Sequence, residues 1–216
     1  YTWSPWCPAS APSLGLECCP MLWGTKQIST FQQQKYKGGK CIMGMNEVNV
    51  DSQGKISVSE GISLWNKYIR VMKKQGYTLI SPSVTSGNDG IAWLKQFYAQ
   101  CGGGNHCDVD FTAMHYYGTS VNDFISWAEK FHALGNGKVW VTEIACQNFG
   151  GKGGQCNKAQ VYAFMDGVTS WMKKQSWIGS YFFFGLFEDM YNVNPLNRMV
   201  NGDGTPNDLG KHYINS

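Results

Sequence analysis

Charge is scarce in this chain of 216 residues: Asp, Glu, Lys and Arg together make up 15% of it, against roughly a quarter in ordinary globular domains. The net charge is only +3, and no run of Lys and Arg is long enough to follow a phosphate backbone, which argues against a nucleic-acid partner. No apolar run approaches the roughly 20 residues of a membrane-spanning helix, so no membrane partner is expected. No Asn-x-Ser/Thr triplet occurs, and N-glycosylation is not expected. The nucleotide fingerprint after a strand, the P-loop, the Gly-x-Ser-x-Gly elbow and the His-Glu-x-x-His helix are all missing, so dinucleotide, NTPase, serine-hydrolase and zincin chemistries lack their residues. The cysteines form no Cys-x-x-Cys pair and no zinc-site spacing; neither a metal nor a cofactor is expected.

What the chain does have is aromatic rings and cysteines. Aromatics reach 14%, with nine Trp. Rings stack on the apolar faces of pyranoses, so low charge with many rings fits a neutral, hydroxylated ligand. The eight cysteines are an even count, as in an oxidised, secreted or extracellular protein. Cys101/Cys107 and Cys146/Cys156 each bracket a Gly-rich loop and suggest local bridges. Cys7, Cys18, Cys19 and Cys41 remain, in a pairing that spacing alone leaves open. The chain opens on Tyr1 with no signal-peptide pattern, which reads as a mature or trimmed form.

The length suits one domain over residues 1–216. Apolar, β-rich runs occur at Cys18–Trp23, Cys41–Met45, Thr78–Ser81, Val109–Tyr117, Val139–Ile144 and Ser180–Phe184, with Tyr1–Trp3 resembling the end of another. Helical periodicity fills the intervals. Ser57 with Glu60 has a capping-box pattern, Ser120 and Asn157 open two further helices, and Thr205-Pro206 reads as a cap. Asp89–Gln100 and Ser29–Tyr36 are weaker helices. Alternating strand and helix implies an α/β fold with a parallel sheet. Seven candidate strands favour a (β/α)8 TIM-type barrel, compact or abbreviated, whose first strand is missing or reduced before Pro5.

Two of these strands end in a carboxylate that their apolar character does not explain: Met45-Asn46-Glu47 and Val141-Thr142-Glu143. In a β/α barrel, strand C-termini form the active site. Two opposed carboxylates are what glycosidic cleavage requires, one to protonate the leaving oxygen and one to attack the oxocarbenium-like centre. His115 and Tyr117 fall on one face of their strand and suit the orientation of Glu143. Trp23, and with less support Trp3, suit stacking on a sugar ring.

The Asn46-Glu47 and Thr142-Glu143 motifs resemble the clan A glycoside hydrolases. Together with Pro20-Met21-Leu22-Trp23-Gly24, His115-Tyr116-Tyr117-Gly118 and Tyr181-Phe182-Phe183-Phe184-Gly185, they make the chain resemble fungal glycoside hydrolase family 128 from Tyr1 to near its C-terminus. That resemblance implies a retaining endo-β-1,3-glucanase of double-displacement type, with Glu47 as acid/base and Glu143 as nucleophile, their carboxyl groups roughly 5–5.5 Å apart. It further implies that Asn46 binds the sugar 2-hydroxyl, that His115 and Tyr117 position Glu143, and that Trp23, Trp3 and Phe184 contribute to the sugar-binding surface. The expected partner is β-1,3-glucan or its oligosaccharides, met by a monomer outside the cell or in the cell wall. The chain departs from the family where Val48 stands in place of a common Pro, and where Tyr1-Thr2-Trp3 replaces Tyr-Asn-Trp. The alternative is a glucan-binding wall protein or lectin with little hydrolysis. A hydrolase acting on another β-glucan or chitin is a third reading, although the chitinase Asp-x-x-Asp-x-Asp-x-Glu pattern is absent.

Overall fold

The computed structural model describes residues 1–34, 39–102 and 106–216. Strands and helices alternate along the chain as the sequence implies. β1 (Cys41–Met43) pairs in parallel with β2 (Thr78–Ile80), with Cys41 opposite Thr78 and Met43 opposite Ile80. β3 (Thr112–Gly118), β4 (Val139–Cys146) and β5 (Ile178–Phe183) form a second sheet in that order, with β4 and β5 parallel.

The eight-stranded barrel expected from the sequence is not what forms. Among the described residues there are sheets of two and three strands and no closed barrel. Two apolar runs fail to become strands. Tyr1–Trp3 meets Cys18–Trp23 through bonds from Thr2 N–H to the Cys19 carbonyl and from Met21 N–H to the Ser4 carbonyl. Cys18–Trp23 lies along the β1 segment through Met43 N–H to the Pro20 carbonyl, Leu22 N–H to the Met43 carbonyl and Asn46 N–H to the Trp23 carbonyl, which amount to one isolated parallel bridge between Met21 and Met43. Pro20 has no N–H to give to a ladder in the second run, and Pro5 stands two residues beyond the first. The disulfides Cys7–Cys18 and Cys19–Cys41 then pin the segment covalently and settle the pairing that spacing left open.

By contact, the chain divides into two compact units: Tyr1–Ala113 with His132–Lys138, and Met114–Phe131 with Val139–Ser216. In the first, Met21, Leu22, Ile42, Met43, Leu79 and Ile80 are wholly buried. Helix α1 (Ile28–Gln33) covers part of the helix expected at 29–36, of which residues 35 and 36 lie outside the described residues. Helix α2 (Val58–Leu64) starts at Ser57, whose hydroxyl accepts from Glu60 N–H at 3.2 Å. It runs on through a π-helical turn, Trp65–Ile69, and a 3-10 stretch, Arg70–Gln75, to Gly76 at φ 82°. The buried Trp65 donates from Nε1 to the Cys107 carbonyl at 2.9 Å and meets Phe97 of α3 (Asn88–Gln100) edge-on. The Cys101–Cys107 bridge forms as expected.

The second unit is built on the apolar face of α4 (Val121–His132), which buries Phe124, Trp127, Ala128 and Phe131, and on α5 (Lys158–Met172). Helix α5 opens with a complete capping box between Asn157 and Gln160. The last helix, α6 (Asp208–Asn215), starts two residues later than the Thr205-Pro206 cap implies. Asn207 is its cap, accepting from Gly210 N–H at 3.0 Å, while Thr205 is held by Asp203 in the preceding turn and Pro206 bridges Val200. The Asn amide can reach the exposed first-turn N–H of α6, whereas the Thr205 hydroxyl is already committed. Cys146–Cys156 closes the remaining loop.

Three tyrosines carry phenols pushed up to about 12, each mainly by burial: Tyr98, against the pull of its hydrogen bonds to Thr112 and Ser81; Tyr116, helped by Asp123; and Tyr213, helped by Tyr181. A folded-state value above the unfolded one, near 10, means that their contribution to stability is intact below pH 10 and is lost as pH rises towards about 12. A tyrosinate absorbance titration should therefore show the phenols of Tyr98, Tyr116 and Tyr213 ionising late in the native protein, and at the ordinary value after unfolding.

Candidate active site

In the first unit the chain leaves β1 through Gly44, where an added Cβ would lie 2.6 Å from Pro82 N; the segment after β1 can therefore run close beside the one after β2. Backbone bonds from Gly44 N–H to the Ile80 carbonyl, Ser83 N–H to the Met45 carbonyl and Val48 N–H to the Ser83 carbonyl continue the pairing past the strand ends. This track carries Asn46 and Glu47. The Ser83 hydroxyl donates to Asn46 Oδ1 and accepts from Glu47 N–H, both at 3.1 Å. Asn46 is buried and donates its N–H to the Trp23 carbonyl at 2.9 Å. Trp23 N–H is in turn held by Gln27 Oε1 at 3.1 Å, and Gln27 Nε2 reaches the Trp3 carbonyl at 3.4 Å. Glu47 itself sits at φ 43°, a left-handed conformation uncommon for a residue with a Cβ and frequent at functional sites. Gly54 closes over this turn: a Cβ there would lie 2.3 Å from the Asn46 carbonyl oxygen.

The two positions at which the chain departs from the resemblance each make a local hydrogen bond. Val48 N–H donates to the Ser83 carbonyl at 3.2 Å, a bond that proline at this position would lose. The Thr2 hydroxyl is taken up within its own turn, accepting from Ser4 N–H at 3.2 Å.

In the second unit β4 brings Glu143 to the inside of the sheet at 6% exposure. Val141 pairs with Tyr181 and Ile144 with Phe183, so β4 carries one extra residue across Thr142–Glu143. Such a bulge re-aims a side chain locally and is frequent beside active sites. The Tyr117 hydroxyl donates to Glu143 Oε2 at 2.5 Å, and His115 Nδ1 lies 3.5 Å from the same oxygen. The first is a short hydrogen bond; the second is too long for a strong one. His115 is fully buried, and its carbonyl receives Trp127 Nε1 at 3.2 Å. The Thr142 hydroxyl ties β4 to β3 by donating to the Met114 carbonyl at 3.3 Å. Phe184 follows β5, is 7% exposed, and stands edge-on to Tyr117 with ring centroids 6.0 Å apart. Its ring packs behind the Tyr117–Glu143 pair more than it faces solvent.

The structure thus links Trp3, Trp23, Asn46 and Glu47 within one unit, and His115, Tyr117, Glu143 and Phe184 within the other. Sequence reasoning missed Ser83, Gln27 and Gly54. Ser83 could have been found, since it is a polar residue just past the end of an apolar strand, like Asn46. Gly54 gives no such signal, because its role is a backbone approach across eight residues.

Replacing Ser83, which is 1% exposed, by Ala strips both Asn46 Oδ1 and Glu47 N–H of that partner. The expected cost is about 1–3 kcal/mol, measured by denaturant unfolding; stability equal to wild type would mean that Ser83 does not organise this turn.

Comparison with known proteins agrees with this geometry. A family profile described as glycosyl hydrolase catalytic core matches residues 1–213. No curated protein sequence matches the chain. Among solved structures, a family 128 (subgroup III) curdlan-specific exo-β-1,3-glucanase from Blastomyces gilchristii, in complex with glucose, is 27% identical with a TM-score of 0.80, covering 99% of this chain and 87% of its own. A subgroup II endo-β-1,3-glucanase from Sorangium cellulosum is 25% identical with a TM-score of 0.80, covering 96% and 83%. A subgroup VII oligosaccharide-binding protein from Trichoderma gamsii shares the fold at 24% identity and a TM-score of 0.80, covering 99% and 84%. With a catalytic-core profile spanning nearly its whole length and these structural relatives, the chain belongs to the glycosyl hydrolase catalytic core family, as a member of glycoside hydrolase family 128.

Proposed function

We propose that this chain is a retaining endo-β-1,3-glucanase, a single catalytic domain in which Glu143 is the nucleophile and Glu47 the general acid/base. The observation that carries this reading is the Tyr117 hydroxyl on Oε2 of the buried, bulge-borne Glu143. A hydrogen bond to the ionised form favours the carboxylate that attack requires.

In the first step a Glu143 oxygen attacks the anomeric carbon while Glu47 gives its proton to the departing glycosidic oxygen, leaving a glycosyl ester on Glu143. In the second, Glu47, now ionised, takes a proton from water as that water attacks the same carbon. The ester breaks, and both carboxyls return to their starting states. With Tyr117 and His115 addressing Oε2, Oε1 is the oxygen we assign to attack. Asn46 supports the same reading. Its Oδ1 is committed to Ser83, which turns its Nδ2 donors to other partners, and we assign them to the sugar 2-hydroxyl. Trp23 and Trp3 are assigned to ring stacking, and Phe184 to the apolar wall behind Tyr117.

The family 128 neighbours described as β-1,3-glucanases support this substrate class. The four disulfides fit an extracellular protein, and no helix among the described residues is long and apolar enough to cross a membrane. We assign the protein to the extracellular space or cell wall, acting as a monomer. The oligosaccharide-binding relative favours a second reading, a glucan-binding protein with little turnover.

Digestion of linear β-1,3-glucan oligosaccharides followed by proton NMR separates the two. The expected first product is the β-anomer, released from within the chain. Glu143→Gln is expected to retain binding while losing at least about three orders of magnitude in kcat, a barrier increase of about 4 kcal/mol. Early α-anomer would reject the retaining mechanism, and wild-type rates in the variant would reject Glu143 as nucleophile. Tight saturable binding without any product would make the chain a binder.

A further inference from the structure

The disulfide Cys146–Cys156 closes a loop that leaves the end of β4, the strand of Glu143. Four of its residues, Gly150, Gly151, Gly153 and Gly154, are glycines, a composition that by itself implies a flexible coil. The structure shows an organised loop instead. Asn148 fills its centre: Nδ2 donates to the carbonyls of Lys152 at 2.5 Å and Gly154 at 3.0 Å, and Oδ1 accepts from Gly150 N–H at 2.9 Å. Gln155 holds the Asn148 backbone from both sides, accepting from its N–H at 2.9 Å and donating to its carbonyl at 2.8 Å. Positive φ at Gly151, Gly153 and Gly154 lets the chain wind around this one amide.

The residue this device holds out is Phe149, which is 55% exposed. Its ring lies 5.4 Å from that of Tyr117, centroid to centroid, and the Tyr117 hydroxyl is the one on Glu143. An exposed apolar ring on a covalently closed, fully bonded loop is preorganised: its position is fixed before any ligand arrives, so little ordering entropy is lost on contact. Beside a carboxylate that acts on a pyranose, the complementary surface is the apolar face of a sugar ring.

We propose that Phe149 is a stacking platform for a glucosyl ring of β-1,3-glucan adjoining the ring on which Glu143 acts, and that Asn148 is the residue that positions it. This rests on the glucanase reading above.

The test is calorimetric binding of linear β-1,3-gluco-oligosaccharides to the Glu143→Gln protein, alone and with Phe149→Ala, Phe149→Tyr, Asn148→Ala or the Phe149→Ala/Asn148→Ala pair. Steady-state kinetics on the same series with Glu143 intact runs in parallel. Phe149→Ala is expected to weaken binding roughly tenfold and to raise KM more than it lowers kcat, with Phe149→Tyr restoring both. Asn148→Ala is expected to weaken binding with the ring still present, and the pair to be no weaker than Phe149→Ala alone, the non-additivity of two residues acting through one contact. Because Phe149 is exposed, its truncation leaves the fold intact.

Unchanged affinity in Phe149→Ala, with the Glu143→Gln parent binding normally, overturns the platform and leaves the glucanase reading standing. Additive losses in the pair overturn the positioning role of Asn148. A change in sedimentation without a change in affinity would make the ring a self-association contact and also overturns the proposal. A Glu143→Gln parent that binds no oligosaccharide overturns the platform and the glucanase reading together.

Discussion

A carboxylate at 6% exposure needs a partner in the protein, because desolvating an ionised group without one is among the costliest events in folding. Glu143 has that partner in the Tyr117 hydroxyl, and much of the second unit serves to keep the two groups opposed. The Thr142 hydroxyl fastens β4 to β3, the extra residue across Thr142–Glu143 re-aims the side chain, and Trp127 fixes the backbone of His115 from behind. Phe184 packs edge-on against the Tyr117 ring. The Glu143 carboxyl is thus held in one orientation by the protein's own groups, the kind of preorganised polar arrangement that electrostatic catalysis draws on.

The first unit solves a different problem. Glu47 is half-buried, and its backbone occupies the left-handed region. A conformation of that kind persists only when its surroundings over-determine it. Here Ser83 bonds to Glu47 N–H, Val48 N–H returns to the Ser83 carbonyl, and Gly54 leaves no room for the turn to relax outward. Asn46 is held by the same hydroxyl, so one serine sets two adjacent residues. The bond from Val48 also shows why a non-proline residue fits here.

The five strands among the described residues were legible as short apolar runs, and both Glu residues stood out because charge is rare around them. Caps at Ser57 and Asn157 were legible because their partners lie three residues away. Features that depend on distant residues were not. Whether Cys18–Trp23 becomes a strand is decided by prolines and disulfides, not by its own apolar character, so counting runs overestimated the strands and suggested a barrel. The bulge in β4 is a matter of register with β5, and the close approach of Gly54 is a matter of backbone packing. Phe149 was hidden for the opposite reason: among glycines it looked like part of a loop without structure, until the Asn148 amide supplied one.

Cys18 and Cys19 are neighbours in the chain, yet one is joined to Cys7 and the other to Cys41. While Cys41 is still reduced, a Cys19 thiolate that attacks the Cys7 sulfur releases Cys18 as the new thiolate, so the swapped isomer, Cys7–Cys19 with Cys18–Cys41, competes with the native one during oxidation. The swap would slide the following Pro20–Trp23 segment by one residue against β1. A one-residue slip sends side chains to the opposite face, and Met21, wholly buried and bridged to Met43, would lose its place in the core. The burial of Met21 therefore favours the native pairing, the one in which that packing is kept.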